Sequence, residues 1–219
     1  DIAIDSNNEN VWYVAVGSGG VWKTKNAGTT WMPITDNMPF YSTGSITIDP
    51  NDSSRIWVGS GENVAGRHVG IGHGIYLSKD SGSTWDDMGL NKSEHISKII
   101  VHPDNSDIIW VASQGPLWNS GGDRGLFMST DGGNTWSNKL YINEWTGVTD
   151  IIIDPTNPDI LYAATWQRHR NVASLIDGGP GTSIYKSIDG GNTWAEIDSG
   201  LPSSNMGKIG LAISPMKPE

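Results

Sequence analysis

The chain has 219 residues, of which 36 % are hydrophobic, with 28 glycines, 11 tryptophans, no cysteine and a formal net charge of −10 at pH 7. Fourteen Lys and Arg against 24 Asp and Glu leave no basic face for a nucleic-acid groove and disfavour an anionic membrane surface. The lack of cysteine removes disulfides, thiolate metal sites and a Cys nucleophile, and no apolar run approaches the roughly 20 residues a membrane-spanning helix needs.

Four repeats follow one another along the chain. In the first, Ile2-Ala3-Ile4-Asp5-Ser6 is a β-branched strand entering a turn, 11–16 a second apolar strand and 20–24 a third. The third strand runs into the turn Thr24-Lys25-Asn26-Ala27-Gly28-Thr29-Thr30-Trp31. The second repeat has strands at 46–50, 56–59 and 74–78 and closes with Ser78-Lys79-Asp80-Ser81-Gly82-Ser83-Thr84-Trp85. The third has strands at 99–103, 109–112 and 125–129, then Ser129-Thr130-Asp131-Gly132-Gly133-Asn134-Thr135-Trp136. The fourth has strands at 151–155, 160–164 and 184–187, then Ser187-Ile188-Asp189-Gly190-Gly191-Asn192-Thr193-Trp194. The closing tryptophans are 54, 51 and 58 residues apart. A period of this length with several short strands per repeat predicts an all-β propeller of four-stranded antiparallel blades. The blades fall at about 1–36, 45–89, 97–140 and 148–199, and the first strand of a fifth falls at 207–215. The second strands are short unbroken apolar runs, as expected for strands buried on both faces.

The turn motif reads [Ser/Thr]-x-[Asp/Asn]-x-Gly-x-Thr-Trp. Asp80, Asp131, Asp189 and Asn26 can accept backbone N–H groups across their own turn. The fifth-position Gly supplies a left-handed backbone, and Trp31, Trp85, Trp136 and Trp194 bring the apolar surface that packs the turn onto its blade. One carboxylate per copy is too few for a calcium loop, so these residues are structural, and neither a metal nor a cofactor is expected.

These four copies resemble the Asp-box, or BNR repeat, of sialidases, sortilin-type receptors and related bacterial propellers, over essentially the whole chain. Gly59-Ser60-Gly61-Glu62-Asn63, Ser93-Glu94-His95-Ile96, Gln114-Gly115-Pro116-Leu117-Trp118 and Gly121-Gly122-Asp123-Arg124-Gly125 resemble segments of large secreted bacterial proteins labelled sortilin-like or glycosyl hydrolase. Those proteins are much longer. The resemblance therefore implies a secreted or periplasmic, envelope-associated bacterial protein, of which this chain is part of a larger ring; two copies closing one ring is the other arrangement. Sialidases hold their substrate carboxylate with three arginines. The five here, Arg55, Arg67, Arg124, Arg168 and Arg170, lack that family's first-arginine context. Xyloglucan-cleaving endoglucanases have a segment similar to 13–20, and their catalytic Asp would fall on Gly17. Both departures weigh against catalysis by this stretch.

The long connections, at about 60–73, 113–124 and 165–183, all join second to third strands, which places them at one end of the propeller, opposite the turn motifs. Length concentrated at one end predicts the binding face there. Its candidate ligand-binding residues are Arg67, His68, Trp118, Arg124, Trp166, Arg168 and His169. Its candidate catalytic carboxylates are Glu62, Glu94, Asp123 and Glu144, since glycosidic acid/base work needs a pair. Asp123 and Arg124 also read as an ion pair stapling their loop, and Trp118 and Trp166 as packing between blades. The first reading is a non-catalytic propeller recognising a glycan or peptide on the long-loop face. The alternative is a glycoside hydrolase of which this is an incomplete fragment, and a third is a scaffold whose open blade edges pair with other blades or another copy.

Overall fold

In the computed structural model, which describes residues 1–216, the strands form four antiparallel sheets. The first blade is β1 (Ile2–Ile4), β2 (Trp12–Val16), β3 (Gly20–Thr24) and β4 (Met32–Pro33). The second is β5 (Thr43–Asp49), β6 (Asp52–Ser60), β7 (Ile75–Ser78) and β8 (Asp86–Asp87), and the third β9 (Ile96–His102), β10 (Asn105–Ser113), β11 (Gly125–Ser129) and β12 (Ser137–Leu140). The fourth contains β13 (Thr146–Asp154), β14 (Asn157–Arg170), β16 (Ile184–Ser187) and β17 (Ala195–Ile197); β15 (Leu175–Asp177) pairs with the far end of β14, off the blade.

The second strands of the two middle blades, β6 and β10, carry apolar runs that each feed two cores. Ile56 and Val58 of β6 pack towards the first blade with Tyr13, Val21 and Tyr76, while Trp57 between them packs towards the third with Ile99, Ile109 and Phe127. The period-two alternation repeats in β10, where Ile109 and Val111 face the second blade and Trp110 and Ala112 the fourth. Three cores thus join four blades. A single blade leaves both faces of its sheet uncovered, so stacking supplies most of the burial.

The turn motifs are self-satisfied. Ser78 Oγ donates to Asp80 Oδ1 (2.8 Å) and accepts the Gly82 N–H (2.7 Å), while Asp80 accepts the Thr84 N–H (2.8 Å) and hydroxyl (2.6 Å). Asp131 and Asp189 repeat the pattern on Thr135 and Thr193. In the first blade the Asn26 amide oxygen accepts the Thr30 N–H (2.9 Å) while its NH2 donates to Thr30 Oγ1. These donors hold the Asp80, Asp131 and Asp189 carboxyls down at about 2, with the Thr hydroxyl contributing most in each case. The fifth-position Gly also makes room for the neighbouring blade. A Cβ on Gly133 would lie 2.6 Å from the Trp57 ring, and one on Gly191 2.5 Å from Trp110 Nε1. The motif of one blade therefore sits on the second-strand Trp of the blade before it. Trp85 Nε1 and Trp136 Nε1 donate back to Ile34 O and Met88 O, again across blades.

Residues 207–215 form no strand, against the expectation of a fifth-blade strand there. A first strand is defined by pairing with a second, and none pairs with it. The segment is nevertheless docked in register: Leu211 N–H donates to Asp150 Oδ2 (2.9 Å), just as Ile46 N–H donates to Asp1 Oδ2 (3.1 Å) between the first two blades.

Candidate functional site

The three long connections gather at one end of the arc, opposite the turn motifs. The first, between β6 and β7, is closed at its neck. Glu62 N–H donates to Gly70 O (2.9 Å), Gly70 N–H to Glu62 Oε2 (2.8 Å), and Ser18 Oγ to Glu62 Oε1 (2.7 Å). A Cβ on Gly17 would lie 3.0 Å from Glu62 Oε1, so this carboxylate overhangs the short β2–β3 turn of the first blade. Arg67 and His68 are exposed at the tip, and Arg67 reaches Val172 O (3.2 Å) on the fourth blade.

The second connection, between β10 and β11, is wrapped around Arg124. Its guanidinium donates to five carbonyls, those of Gln114, Pro116, Asn119, Gly121 and Trp145. Burial lowers the group to about 10. It makes no ion pair with Asp123, whose Oδ2 instead accepts the Lys92 N–H (2.9 Å). The expected loop staple exists, built from carbonyls rather than from a carboxylate. Arg124 is therefore a loop core and not a ligand contact, and Asp123 is committed to the 90–95 connection.

The third connection is not a loop along its first part. Thr165 to Arg170 continue β14 and fold back through Asn171 onto β15, pairing Arg168 with Asp177 and Arg170 with Leu175. Alternation puts Trp166 and Arg168 inward. Arg168 is fully buried, donates to Val64 O (2.7 Å) and Gly115 O (3.1 Å), and stands 5.2 Å over the Trp166 ring. Burial drives it down to about 9, with Arg124 adding to the effect. Trp166 is 3 % exposed. Both expected ligand contacts are thus interior residues that tie the fourth blade to the first two long connections. His169, on the opposite side of the strand, stays half-buried with its ring 4.1 Å from that of Trp145.

What remains open at this end is a patch on the third and fourth blades. Trp118 is half-buried beside Leu117, whose carbonyl accepts the Arg170 N–H (2.9 Å). Trp145 packs against His169 with the rings tilted by 39°, and the carbonyl of exposed Glu144 accepts the Gly121 N–H (2.8 Å). Trp145 lies in the short connection between β12 and β13. Glu94 lies towards the second blade. It is half-buried on a left-handed residue (φ 56°), and burial pushes its carboxyl up, against the pull of Arg124 and Arg168. Beside it His95 is 1 % exposed, neither ring nitrogen has a partner, and burial drives it down to about 3. Along the inner edge runs a polar cleft of about 630 Å³ lined by Asp1, Asn63, Ser97, Lys98, Asp150 and Lys208 among others. Lys208 Nζ closes its rim by donating to Asn63 O (2.7 Å) and Oδ1 (2.8 Å). Among the described residues no three His, Asp or Glu side chains converge as metal ligands, and no helix is long and apolar enough to cross a membrane.

Stacked four-stranded blades, with a self-bonded Asp or Asn turn in each, define a β-propeller of Asp-box blades. The chain belongs to the family described as Sortilin, neurotensin receptor 3 (Sortilin-Vps10), whose model matches residues 19–140 and 73–208. Among curated relatives it is 23 % identical over 209 residues to an oligoxyloglucan-reducing end-specific xyloglucanase of Emericella nidulans, covering 86 % of this chain and 22 % of that protein. It is 26 % identical over 221 residues to a xyloglucanase of Acetivibrio thermocellus, covering 90 % and 25 % respectively. The chain thus spans a quarter or less of these relatives' length. Among solved structures, an ancestral GH74 enzyme superposes with a TM-score of 0.69 at 22 % identity over 92 % of this chain and 24 % of that one. YCF48 from Cyanidioschyzon merolae superposes at 0.52 and 17 % identity, over 91 % and 59 %.

Proposed function

We propose that this chain is one arc of a secreted bacterial glycoside hydrolase of the xyloglucan-cleaving kind, and that its long-loop end faces the polysaccharide. The observation that carries the reading is its match over 86–90 % of its length to proteins named as xyloglucanases. The patch supports it: Trp118 and the Trp145–His169 stack offer aromatic faces for sugar rings, with Glu144 beside them to bond hydroxyls. Arg67 and His68 are exposed polar groups at the tip of the first long connection, where Arg67 reaches Val172 O of the fourth blade. Residues 207–215 are read as the start of a further blade in the parent chain; in support, Leu211, Ala212 and Ile213 line an apolar cavity of about 280 Å³ together with Ile152, Tyr162, Ile184 and Ile197 of the fourth blade. The test is xyloglucan hydrolysis by the parent protein together with affinity electrophoresis of this chain in xyloglucan. Retardation abolished by Trp145→Ala supports the face; no retardation and no hydrolysis refute the reading.

A second reading, glycan or peptide recognition without catalysis, is favoured by Gly17, which puts no carboxylate on the β2–β3 turn of the first blade. Retardation by xyloglucan with no hydrolysis by the parent protein would select it.

A further inference from the structure

The joints between blades repeat one packing pattern, and the first joint departs from it. Strand register sets Tyr13 opposite Lys23 in the first blade, Trp57 opposite Leu77 in the second and Trp110 opposite Met128 in the third. At the second and third joints the motif glycine of the following blade closes on the indole, Gly133 on Trp57 and Gly191 on Trp110. At the first joint a phenol and an ammonium replace the indole and the apolar chain, and a Cβ on Gly82 would meet Ile34 Cδ1 at 2.6 Å instead. A cavity of about 420 Å³ opens there, lined by Lys23, Lys25, Met32, Ile34, Met38 and Trp85 among others. That volume suits a small molecule, and the cavity lies at the turn-motif end, away from the long connections.

Lys23 lines this cavity yet is only 7 % exposed. Its Nζ donates to Ser81 O (2.7 Å) and stands 4.9 Å from the centroid of the Tyr13 ring. An ammonium has three N–H groups, and the Ser81 carbonyl takes one. Among the described residues Lys23 makes no ion pair. Asp5 and Asp80 attract it from further off, and burial outweighs them, so its pKa lies below the ordinary lysine value. A desolvated cation without a counter-charge is costly, and an anion in the cavity would relieve that cost. Lys25 adds a second positive charge to the lining and Asp36 one negative charge, so a singly charged anion fits better than a doubly charged one. The apolar part of the lining is built from the thioethers of Met32 and Met38 with Ile34 and Trp85, and Trp85 is fixed by its Nε1–H to Ile34 O (3.1 Å). Thioether sulfur packs favourably against aromatic rings.

We propose that the joint between the first and second blades binds a small aromatic carboxylate, with its carboxylate on Lys23 and Lys25 and its ring on Met32, Met38 and Trp85. The site is independent of the hydrolase reading and of the long-loop end. The experiment titrates the full chain, labelled with 13C in its methionine methyls, with cinnamate and with the neutral cinnamyl alcohol. Cinnamate should shift the Met32 and Met38 methyls saturably, with a Kd of about 0.1–1 mM, from the efficiency usual for a ligand of its size. The methyl of Met128, buried at the joint between the third and fourth blades, should not move. Cinnamyl alcohol should bind at least about tenfold more weakly, for want of the charge-assisted bonds. Lys23→Met places at this position the residue found there in the third blade, and it should weaken cinnamate binding by about 10–100-fold while leaving the alcohol unchanged. Equal affinity for cinnamate and cinnamyl alcohol overturns the proposal, as does a folded Lys23→Met variant that binds cinnamate like wild type. Absence of saturable shifts at cinnamate concentrations far above the expected Kd overturns it too. Thermal melts report whether the variant folds, and the comparison of acid with alcohol needs only the wild-type chain.

Discussion

The fifth-position glycines of the turn motifs separate backbone strain from packing. Gly28, Gly133 and Gly191 share nearly one conformation, with φ of 84°, 89° and 84°. Alanine at any of them carries the left-handed penalty of about 1–2 kcal/mol, offset by about 0.4–1 kcal/mol from a less flexible unfolded chain. Their surroundings differ. The nearest atom to a Cβ on Gly28 is 3.5 Å away, in Trp12, an ordinary contact. On Gly133 the Cβ would meet the Trp57 ring at 2.6 Å and Met88 Cε at 3.1 Å, so Trp57, fully buried between two blades, must move. Overpacking of this kind costs about 1–3 kcal/mol more. Gly28→Ala should therefore cost about 1 kcal/mol and Gly133→Ala about 2–4 kcal/mol, with Gly191→Ala alongside the latter. Urea unfolding followed by circular dichroism reads this as a shift in midpoint at constant slope. In a Trp57→Leu background the extra cost of Gly133→Ala should largely vanish, a coupling of about 1–3 kcal/mol. Equal costs for Gly28→Ala and Gly133→Ala, or no coupling to Trp57, would refute the claim that the motif glycine is there for the neighbouring blade's Trp.

The fourth motif position is left-handed too, and Ala27 holds φ 50° where the third and fourth blades have Gly132 and Gly190. Ala27→Gly should stabilise by about 0.5–1 kcal/mol, the relieved strain less the added chain entropy, raising Tm by about 1–4 °C. Asp80, Asp131 and Asp189 have folded-state pKa values depressed to about 2 from 3.8. Their contribution is fully present above pH 3.8 and lost as pH falls through 2. Tm should therefore drop across that window, and the Asp80→Asn, Asp131→Asn, Asp189→Asn triple variant should flatten the drop. Arg124→Ala should cost at least about 3 kcal/mol, since it leaves five carbonyls without their donor. It should also expose the 114–124 connection to limited proteolysis, whereas Arg67→Ala, at an exposed loop tip, should change Tm by less than about 2 °C.

The blades were legible because their signals are local. The apolar run from Ile109 to Ala112 has no polar face to offer water, so a strand buried on both sides is its one comfortable setting, and Asp131 needs only its own turn to satisfy it. The long-loop end was less legible because its organising contacts are to backbone. Arg124 lies in a Gly-rich stretch and Arg168 in a polar one that reads as solvated, and the carbonyls they bind carry no mark in the sequence. The extension of β14 did leave a trace. Trp166, Arg168 and Arg170 alternate with Gln167 and His169 in period two up to Asn171, whose Oδ1 accepts the N–H groups of Ala173 and Ser174 in the turn. The polarity of the stretch concealed that strand, because a strand with an inward arginine, Arg168, bonded to carbonyls does not look amphipathic.

One fold thus pushes its carboxylates in opposite directions at its two ends, and the cause is the supply of donors. At the turn-motif end each Asp gathers two hydroxyls and backbone N–H groups within its own eight residues, so it stays ionised and inert while its blade is folded. At the long-loop end the donors of largest charge, Arg124 and Arg168, are drawn off by loop carbonyls, which outnumber what short connections could satisfy. Glu94 is left with burial as the dominant influence, and burial likewise drives His95 down to about 3. The lengthening of three connections at one end does more than shape a surface. It creates carbonyls that occupy the arginines, and the Glu94 carboxyl stays raised by burial despite two guanidiniums near it. Replacing Arg124 should then act on Glu94 in two ways with opposite signs: losing a nearby cation raises its pKa, while a loosened loop readmits water and lowers it. Carbon-13 titration of the Glu94 carboxyl in Arg124→Lys, which keeps the charge but loses most of the fork, isolates the second effect. A fall relative to wild type supports desolvation as the cause, and an unchanged or higher value refutes it.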